Sequence, residues 1–297
     1  MGIWTNITNS MIAGHTLPRA NLSDQFLYEG ENTLLSRAAW IPGMGIGVKS
    51  ASILPSNPEV NNLPTIHGSM VVFDDATGQV RGTLDSAEIT NLKTAADSVL
   101  GAKLLARPSA TSLLIIGAGF VAEQLAKAYA ELMPHLSQVR LWNRTAERGA
   151  ALVQKLGAEG YAVTQVSDLE TAVTEAHVIS SAVMVQEPIL RGDLVQPGTH
   201  VDLIGAFTPH MREGDDTLLQ KARLFCDCLD TTVEHIGEFM DPIARGVIAK
   251  EQILGDFYDL IPGTIGREGV EEITLFKNGG GAHLDLMTAQ ILLNKET

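Results

Sequence analysis

Hydrophobic and polar positions alternate differently in the two parts of the chain. In the first hundred residues, period-two runs bounded by turn residues predict strands, including a hairpin formed by residues 69–74 and 79–84. A long helix should follow, because Asp85 and Glu88 have the spacing of a capping box. We expect this helix to end shortly before Pro108, which disfavours further helix, and to join two domains.

From Thr111 onward, short apolar runs alternate with amphipathic helical patterns. Strands are expected at residues 112–116, 138–142, 161–166, 177–182, 200–204 and 223–227. Such alternation is typical of a parallel, doubly wound sheet. The predicted fold class is therefore α/β, with a Rossmann domain at 109–274 and a discontinuous α+β domain made of 1–108 with 275–297.

The most informative segment is the glycine loop that follows the first of these strands. Residues 113–116 are apolar and read as a buried strand, Gly117 and Gly119 allow a sharp turn, and Ala122 lies in the helix that opens there. Free amides at such a helix N-terminus can hold a pyrophosphate. A GxGxxA pattern alone is weak, because glycines also end strands for structural reasons. Its setting of strand, turn and helix favours dinucleotide binding.

The second strand of this region ends in Asn143-Arg144-Thr145. An NAD site places a carboxylate about 20 residues beyond the glycine loop to accept from the ribose hydroxyl. Here the first acid after this strand is Glu147. Arg144 instead offers a planar guanidinium, whose fork matches a phosphate dianion. We therefore favour NADP(H) and keep NAD(H) possible. Alternatively, Asn143 or Thr145 caps the next helix, and both roles are compatible.

Composition narrows the function classes. The 297 residues carry 21 Lys and Arg against 35 Asp and Glu, a net charge of −14. This balance argues against a nucleic-acid partner, which would need a basic surface. No apolar run approaches the roughly 18 residues of a membrane span, and the N-terminal segment lacks the pattern of a signal peptide. We therefore expect no membrane partner and a cytoplasmic location.

Two cysteines, Cys226 and Cys228, lie two positions apart, and there is no second pair to complete a zinc site. We interpret them as reduced core residues and expect no metal.

Three cations in the first domain have ambiguous roles from the sequence alone. Lys49 lies in a run of small and apolar residues, so it is either an outward residue of an edge strand or a buried ammonium. Lys93 lies inside the long helix and could pair with Asp97 on an exposed face. Arg19 is a lone cation in a loop.

Several segments together follow the pattern of one known family. They are the Lys49 strand followed by Pro55-Ser-Asn-Pro58, Thr90-x-x-Lys93-Thr94-Ala95-Ala96, Ile116-Gly-Ala-Gly119, Gly198-Thr-His-Val-Asp-Leu-Ile-Gly-Ala206, Arg212-Glu213, and Ile273-Thr-Leu-Phe-Lys277-x-Gly-Gly-x-Ala282-x-x-Asp285. On these motifs the chain resembles the ornithine cyclodeaminase/μ-crystallin family from about Arg19 onward.

The resemblance implies a substrate-binding domain that also forms a homodimer, a Rossmann domain, and an active site in the cleft between them. Arg19 and Lys49 match the cations that hold the substrate carboxylate, and Lys93 stands where the family usually has Arg. Asp285 matches another family position and would cap the last helix or orient Lys49. The residues expected at the cofactor are Gly117, Gly119, Phe120, Val121, Asn143, Arg144, Thr145, Ser181, Gly205, Asn278 (in place of the usual Ser) and Gly279.

One departure from the family selects among its reactions. The cyclodeaminases have a carboxylate soon after the Ile204-Gly205 segment, whereas this chain has no acid there before Glu213. It therefore resembles the ketimine reductases, which implies hydride transfer from NADPH to Δ1-pyrroline-2-carboxylate or Δ1-piperideine-2-carboxylate. The substrate imine must be protonated, by Lys49 or by water. Alternatives are an ornithine cyclodeaminase, an alanine dehydrogenase-like enzyme, or a non-catalytic NADPH- and small-ligand-binding protein.

Overall fold

The computed structural model describes residues 2–294. Their strands form two separate sheets, and helices connect many of the strands along the chain. In chain order the strands are β1 (Asn21–Glu29), β2 (Asn32–Ile41), β3 (Gly45–Ile53), β4 (Ile66–Phe73), β5 (Val80–Asp85), β6 (Ser112–Ile116), β7 (Gln138–Trp142), β8 (Val163–Gln165), β9 (Val178–Ser181), β10 (His200–Leu203), β11 (Arg223–Cys226) and β12 (Thr274–Lys277). The α-helices are α1 (Ile3–His15), α2 (Asn57–Val60), α3 (Ser86–Leu105), α4 (Phe120–Leu132), α5 (Ala146–Ala158), α6 (Leu169–Thr174), α7 (Asp216–Lys221), α8 (Leu229–Thr232), α9 (Gly237–Ala244), α10 (Phe257–Leu260) and α11 (Ala282–Leu293).

The chain divides into two units. The first consists of residues 3–93 and 281–294, and the second of residues 94–280. The limits predicted from the sequence were after residues 108 and 274, whereas the first of them lies after Lys93, inside α3. The second of those limits is wrong in one respect: β12 pairs with β10 and β11 and so belongs to the sheet of the second unit.

The first unit is built on a five-stranded antiparallel sheet in the order β1-β2-β3-β4-β5. The predicted hairpin is confirmed, because β4 and β5 pair antiparallel across the turn. Helix α11 packs on α1 and on strands β2, β3 and β5. All residues of α11 except Ile291 are buried, so this helix forms the centre of the unit.

The predicted start of α3 is confirmed by its cap. The Asp85 carboxylate accepts hydrogen bonds from the backbone amides of Ala87 (2.7 Å) and Glu88 (3.1 Å), two donors that the helix itself leaves unpaired. The helix ends at Leu105, three residues before Pro108. Its residues up to Lys93 belong to the first unit and its later residues to the second.

The second unit is a parallel sheet in the order β11-β12-β10-β9-β6-β7-β8. The six predicted strands are confirmed, and each end lies within two residues of its expected position. The doubly wound order reverses between β6 and β9, the switch point beside which such sheets bind ligands at their carboxyl edge. Ile116, Ile179, Leu203 and Leu275, one from each of four neighbouring strands, are fully buried in its core. Among the helices described, none is long and apolar enough to cross a membrane.

Candidate active site

Strand β3 places Lys49 in the interior of the first unit. The residue is 7% exposed, and its Nζ lies 2.8 Å from Oδ2 of Asp285 and donates to Oγ1 of Thr90 at 3.2 Å. Asp285, in the first turn of α11, is fully buried. Of the two readings of Lys49, the buried ammonium is therefore correct. β3 is also an inner strand, paired on both sides.

Two further cations act on this pair. Lys93 is 3% exposed and Asp97 is fully buried, so the exposed pair considered for them is wrong. Arg37 lies directly opposite Lys49 in the β2–β3 register, and its guanidinium is held by Asp24 at 2.7 and 3.2 Å. Arg37 was missed in the sequence analysis, because only strand register brings it to Lys49.

Burial and neighbouring charges together set the protonation of the pair. Burial lowers the pKa of Lys49 most, Asp285 opposes this, and the charges of Lys93 and Arg37 lower it further. For Asp285, burial alone would raise the pKa, but Lys49, Lys93 and Arg37 bring it below its ordinary value. The carboxyl group is therefore ionised at neutral pH, and the Lys49 ammonium is a better proton donor than an ordinary lysine.

Arg19 lies in the exposed connection between α1 and β1. Its charge contributes to lowering the pKa of His283, after burial, His15 and Lys93. The first unit thus gathers four cations, Arg19, Arg37, Lys49 and Lys93, around Asp285 and His283. We call this group the cation cluster. A substrate carboxylate fits its chemistry, since the cations outnumber the single buried acid.

In the second unit, the residues expected at the cofactor lie after or at the ends of five parallel strands. Gly117 follows β6, Asn143 follows β7, Ser181 ends β9, Gly205 follows β10 and Asn278 follows β12. Carboxyl ends of parallel strands share one edge of a sheet. The fold therefore brings these residues to the same edge.

The glycine loop has the geometry that a pyrophosphate site needs. Gly117 has φ +120°, and a Cβ there would lie 2.9 Å from the carbonyl oxygen of Ala182, so no other residue fits. Gly119 is the N-cap of the thirteen-residue α4 and faces open space. Phe120 is exposed and Val121 half-buried in the first turn. The free amides of this turn fit a diphosphate.

Asn143 and Thr145 were the alternative candidates for capping α5, and the structure supports this role only in part. Thr145 occupies the N-cap position of α5, but its side chain accepts no capping hydrogen bond. Asn143 Nδ2 donates to the carbonyl oxygen of Thr145 at 2.8 Å. Arg144 is exposed, and no ion pair engages it within residues 2–294. The guanidinium is therefore available to an anionic ligand.

Glu213 is the first acid after the Ile204-Gly205 segment, and it has a structural role. It is fully buried and accepts from the Ser181 hydroxyl (2.6 Å) and from the backbone amides of Val183 (3.2 Å) and Ala206 (3.1 Å). Both carboxylate oxygens are therefore engaged. The hydroxyl of Ser181 is committed to Glu213, so its expected contribution to the cofactor site would come from its backbone.

A buried aspartate that the sequence analysis missed holds the turn after β12. Asp227 accepts from the amides of Gly279 (3.0 Å) and Gly280 (2.5 Å). Asn278 Nδ2 donates to the Thr94 carbonyl (3.0 Å) and to Ser98 Oγ (2.9 Å). The turn that carries Asn278 and Gly279, two of the residues expected at the cofactor, is thus fixed from both sides.

Within the described part of the chain, no group of three or more His, Cys, Asp or Glu side chains could hold a metal ion.

Residues 42–296 match the sequence profile of the ornithine cyclodeaminase/mu-crystallin family. A Δ1-pyrroline-2-carboxylate reductase of Paracoccus denitrificans is 48% identical over 290 residues, which are 97% of this chain and 92% of that protein.

Two solved structures share the fold. The Δ1-pyrroline-2-carboxylate reductase of Thermococcus litoralis, in complex with NADH and L-proline, has a TM-score of 0.87 at 23% identity and covers 99% of this chain and 92% of its own. An archaeal alanine dehydrogenase dimer with bound NAD has a TM-score of 0.89 at 26% identity, over 98% and 91% of the two chains.

Proposed function

Because the chain belongs to the ornithine cyclodeaminase/mu-crystallin family, we propose that it is an oxidoreductase that reduces a small cyclic imine carboxylate with a nicotinamide cofactor. The substrate is Δ1-pyrroline-2-carboxylate or Δ1-piperideine-2-carboxylate, and the product L-proline or L-pipecolate. The observation that carries the proposal is the buried Lys49–Asp285 pair within the cation cluster. The activity of the 48% identical relative supports the same reaction class.

The cation cluster recognises the carboxylate of the substrate. Lys49 and Arg37 are cross-strand neighbours, so both can face one small anion. Asp24 fixes the Arg37 guanidinium before substrate arrives, which lowers the entropic cost of binding. Lys93 adds charge without the planar fork of an arginine, so it neutralises the carboxylate more than it orients it.

Lys49 is the proton donor to the imine nitrogen in this proposal. Burial and the neighbouring cations lower its pKa, which favours proton release, and Asp285 holds the ammonium in place at 2.8 Å. NADPH, when bound, supplies the hydride that the imine carbon receives. The reaction balances because the carbon gains a hydride and the nitrogen a proton.

The cofactor is proposed to be NADPH in preference to NADH. The exposed, unengaged guanidinium of Arg144 and the absence of an acid between the end of β7 and Glu147 favour a ribose phosphate over a ribose hydroxyl. The glycine loop at Gly117 and Gly119 would hold the pyrophosphate.

A specific observation disfavours the cyclodeaminase reaction. Glu213 is the first acid after the Ile204-Gly205 segment, and three donors already engage its carboxylate. An alanine dehydrogenase activity remains the second candidate, because the archaeal alanine dehydrogenase shares the fold at 26% identity.

We also propose that the protein is a cytoplasmic homodimer that uses the β1–β2 hairpin of the first unit. Tyr28 (71% exposed) and the stacked Phe26 point to one face, while Leu27 and Leu34 pair across the hairpin with 54% and 40% exposure. Apolar groups exposed together on a long edge hairpin indicate a protein partner. This is tested by light scattering on the wild type and on a Tyr28→Lys variant. A monomeric wild type would contradict the proposal.

One assay separates the candidate reactions. NADPH absorbance is followed with Δ1-pyrroline-2-carboxylate, with pyruvate plus ammonia, and with cofactor-supplemented ornithine while ammonia release is measured. Oxidation with the cyclic imine as the preferred substrate supports the proposal. Activity with only one of the other substrates, either ammonia release from ornithine or NADPH oxidation with pyruvate plus ammonia, would overturn it.

A further inference from the structure

One buried side chain at the carboxyl edge of the second unit has an oxygen without a partner. Asn278 directly follows β12, and the residue is only 4% exposed. Its Nδ2 donates to the Thr94 carbonyl at 3.0 Å and to Ser98 Oγ at 2.9 Å. Among the donors of the described residues, none lies within hydrogen-bond distance of Oδ1. An enclosed amide oxygen is costly to leave unsatisfied, so Oδ1 is a candidate acceptor for a ligand.

The partners of Asn278 fix which end of its amide group is the oxygen. A carbonyl oxygen can only accept, so the atom beside the Thr94 carbonyl must be the nitrogen. Both hydrogens of this nitrogen are used, one on Thr94 and one on Ser98. The side chain therefore offers a ligand an acceptor and no donor.

The turn also holds the backbone of Asn278 in place. Its amide donates to the Leu203 carbonyl at 3.0 Å, and its carbonyl accepts from Lys277 Nζ at 2.9 Å. Lys277 is fully buried and donates to the Leu203 carbonyl as well, at 2.8 Å. Oδ1 is thus held in position before a ligand arrives, and a preorganised group lowers the entropic cost of binding.

The order of the sheet assigns one half of a dinucleotide to this part of the edge. A dinucleotide lies across the switch point, with one nucleotide on each half of the sheet. The glycine loop after β6 and Arg144 after β7 belong to the half that would hold the pyrophosphate and the adenosine ribose. Strands β9, β10 and β12 form the other half, so the nicotinamide is expected beside them.

We propose that Oδ1 of Asn278 accepts a hydrogen bond from the carboxamide NH2 group of the nicotinamide ring. The inference rests on the nicotinamide cofactor of the proposed function. This NH2 group is the only hydrogen-bond donor on the ring, and the hydroxyls of the adjoining ribose are the competing donors. A ring held at its carboxamide cannot turn about its bond to the ribose. Asn278 would therefore determine which face of the ring the substrate meets.

Cofactor analogues test this contact by binding alone, without substrate. In the reduced 3-acetylpyridine analogue of NADPH a methyl group replaces the NH2 and the carbonyl stays, whereas the reduced thionicotinamide analogue keeps the NH2. Calorimetry gives the dissociation constant of each cofactor. We expect the wild type to bind the acetylpyridine analogue about tenfold more weakly than NADPH, because a hydrogen bond is lost and an enclosed acceptor stays unpaired. The thionicotinamide analogue should bind nearly as well as NADPH.

Asn278→Ala should remove this discrimination. We expect the variant to bind NADPH about tenfold more weakly than the wild type does, so that the ratio between NADPH and the acetylpyridine analogue falls to about one. The turn should persist, because the hydrogen bonds of Lys277 and of the Asn278 backbone do not involve the replaced side chain. Asn9→Ala is the matched control, since Asn9 is exposed on α1, and it should leave all three dissociation constants unchanged.

The outcomes separate this contact from the proposed cofactor itself. Equal binding of NADPH and the acetylpyridine analogue by the wild type would overturn the inference without any variant, as would equal weakening by the thionicotinamide analogue. A ratio that persists in Asn278→Ala, with all cofactors weakened alike, would assign Oδ1 to a ribose hydroxyl and also overturn it. Absence of NADPH binding to the wild type would overturn the proposed cofactor and this inference with it.

Discussion

Replacement of Asp285 by Asn removes the only buried carboxylate of the cation cluster and keeps the size of the side chain. Lys49 Nζ then loses the oxygen that lies 2.8 Å away, while Lys93 and Arg37 remain nearby. The variant thus leaves a buried ammonium beside other cations, without an acid to balance it. We expect lower stability and lower imine reduction, with cofactor binding unchanged.

The size of the expected stability loss follows from the burial of both Lys49 and Asp285. Breaking a buried ion pair on one side typically costs about 3–5 kcal/mol. The loss has an upper limit of about 5 kcal/mol at pH 7, the cost of deprotonating a lysine with an ordinary pKa at about 1.4 kcal/mol for each pH unit. Because burial already lowers the pKa of Lys49, we expect a loss of about 3–4 kcal/mol.

The direction in which this stability loss changes with pH follows from the pKa of Lys49. In the variant the folded pKa of Lys49 falls further below its unfolded value of about 10.4, so the penalty is full below the folded pKa and disappears as pH rises towards 10.4. Urea unfolding at about pH 7 and about pH 9.5 should therefore show a smaller loss at the higher pH.

Asp24→Asn is the control, since it breaks the more exposed pair with Arg37 and should cost about 1 kcal/mol or less. Imine reduction by Asp285→Asn should fall about 100-fold in kcat/KM, which corresponds to about 3 kcal/mol. A stability loss no larger than that of Asp24→Asn, together with unchanged kcat/KM, would refute the role given to the pair.

Three further predictions concern other parts of the molecule. Arg144→Ala should raise the KM for NADPH about tenfold or more and leave that for NADH unchanged, because a charge-assisted phosphate contact is worth about 1.5–3 kcal/mol; equal effects on both cofactors would contradict this. Arg37→Met should raise the KM for the imine and not that for NADPH, measured by steady-state kinetics. Burial raises the pKa of Asp202 to about 7, so the wild type loses stability as pH rises from the unfolded pKa towards 7. Relative to the wild type, the unfolding free energy of Asp202→Asn should therefore rise by about 4 kcal/mol from about pH 4 to pH 7, measured by urea unfolding; a constant difference would contradict the assignment.

The second unit could be predicted well because its inner strands are short segments that carry apolar residues and are bounded by turn or helix patterns. Every residue of β6, β9, β10 and β12 is buried, and such runs separated by amphipathic helices leave few alternatives to a parallel sheet. The position of β12 could not be predicted, since the order of parallel strands depends on long-range pairing. That is why the boundary after residue 274 was wrong.

The candidate site was predictable to the extent that it follows local motifs. The glycine loop has a sequence pattern with a physical cause, whereas Lys49 was ambiguous until its burial was known. Arg37 and Asp227 escaped notice because their partners lie on other strands or turns. A lysine in a run of small and apolar residues, with an arginine twelve positions before it on the other side of Pro42-Gly43, is the one signal that could have found Arg37.

The central claim is that the first unit grips a carboxylate through Lys49 and Arg37. The most direct test is a crystal structure of the protein with NADPH and pyrrole-2-carboxylate. The account predicts carboxylate oxygens within about 3 Å of Lys49 Nζ and of the Arg37 guanidinium, a hydrogen-bonding distance. A ligand carboxylate bound away from both side chains, with Lys49 still paired only to Asp285, would contradict it.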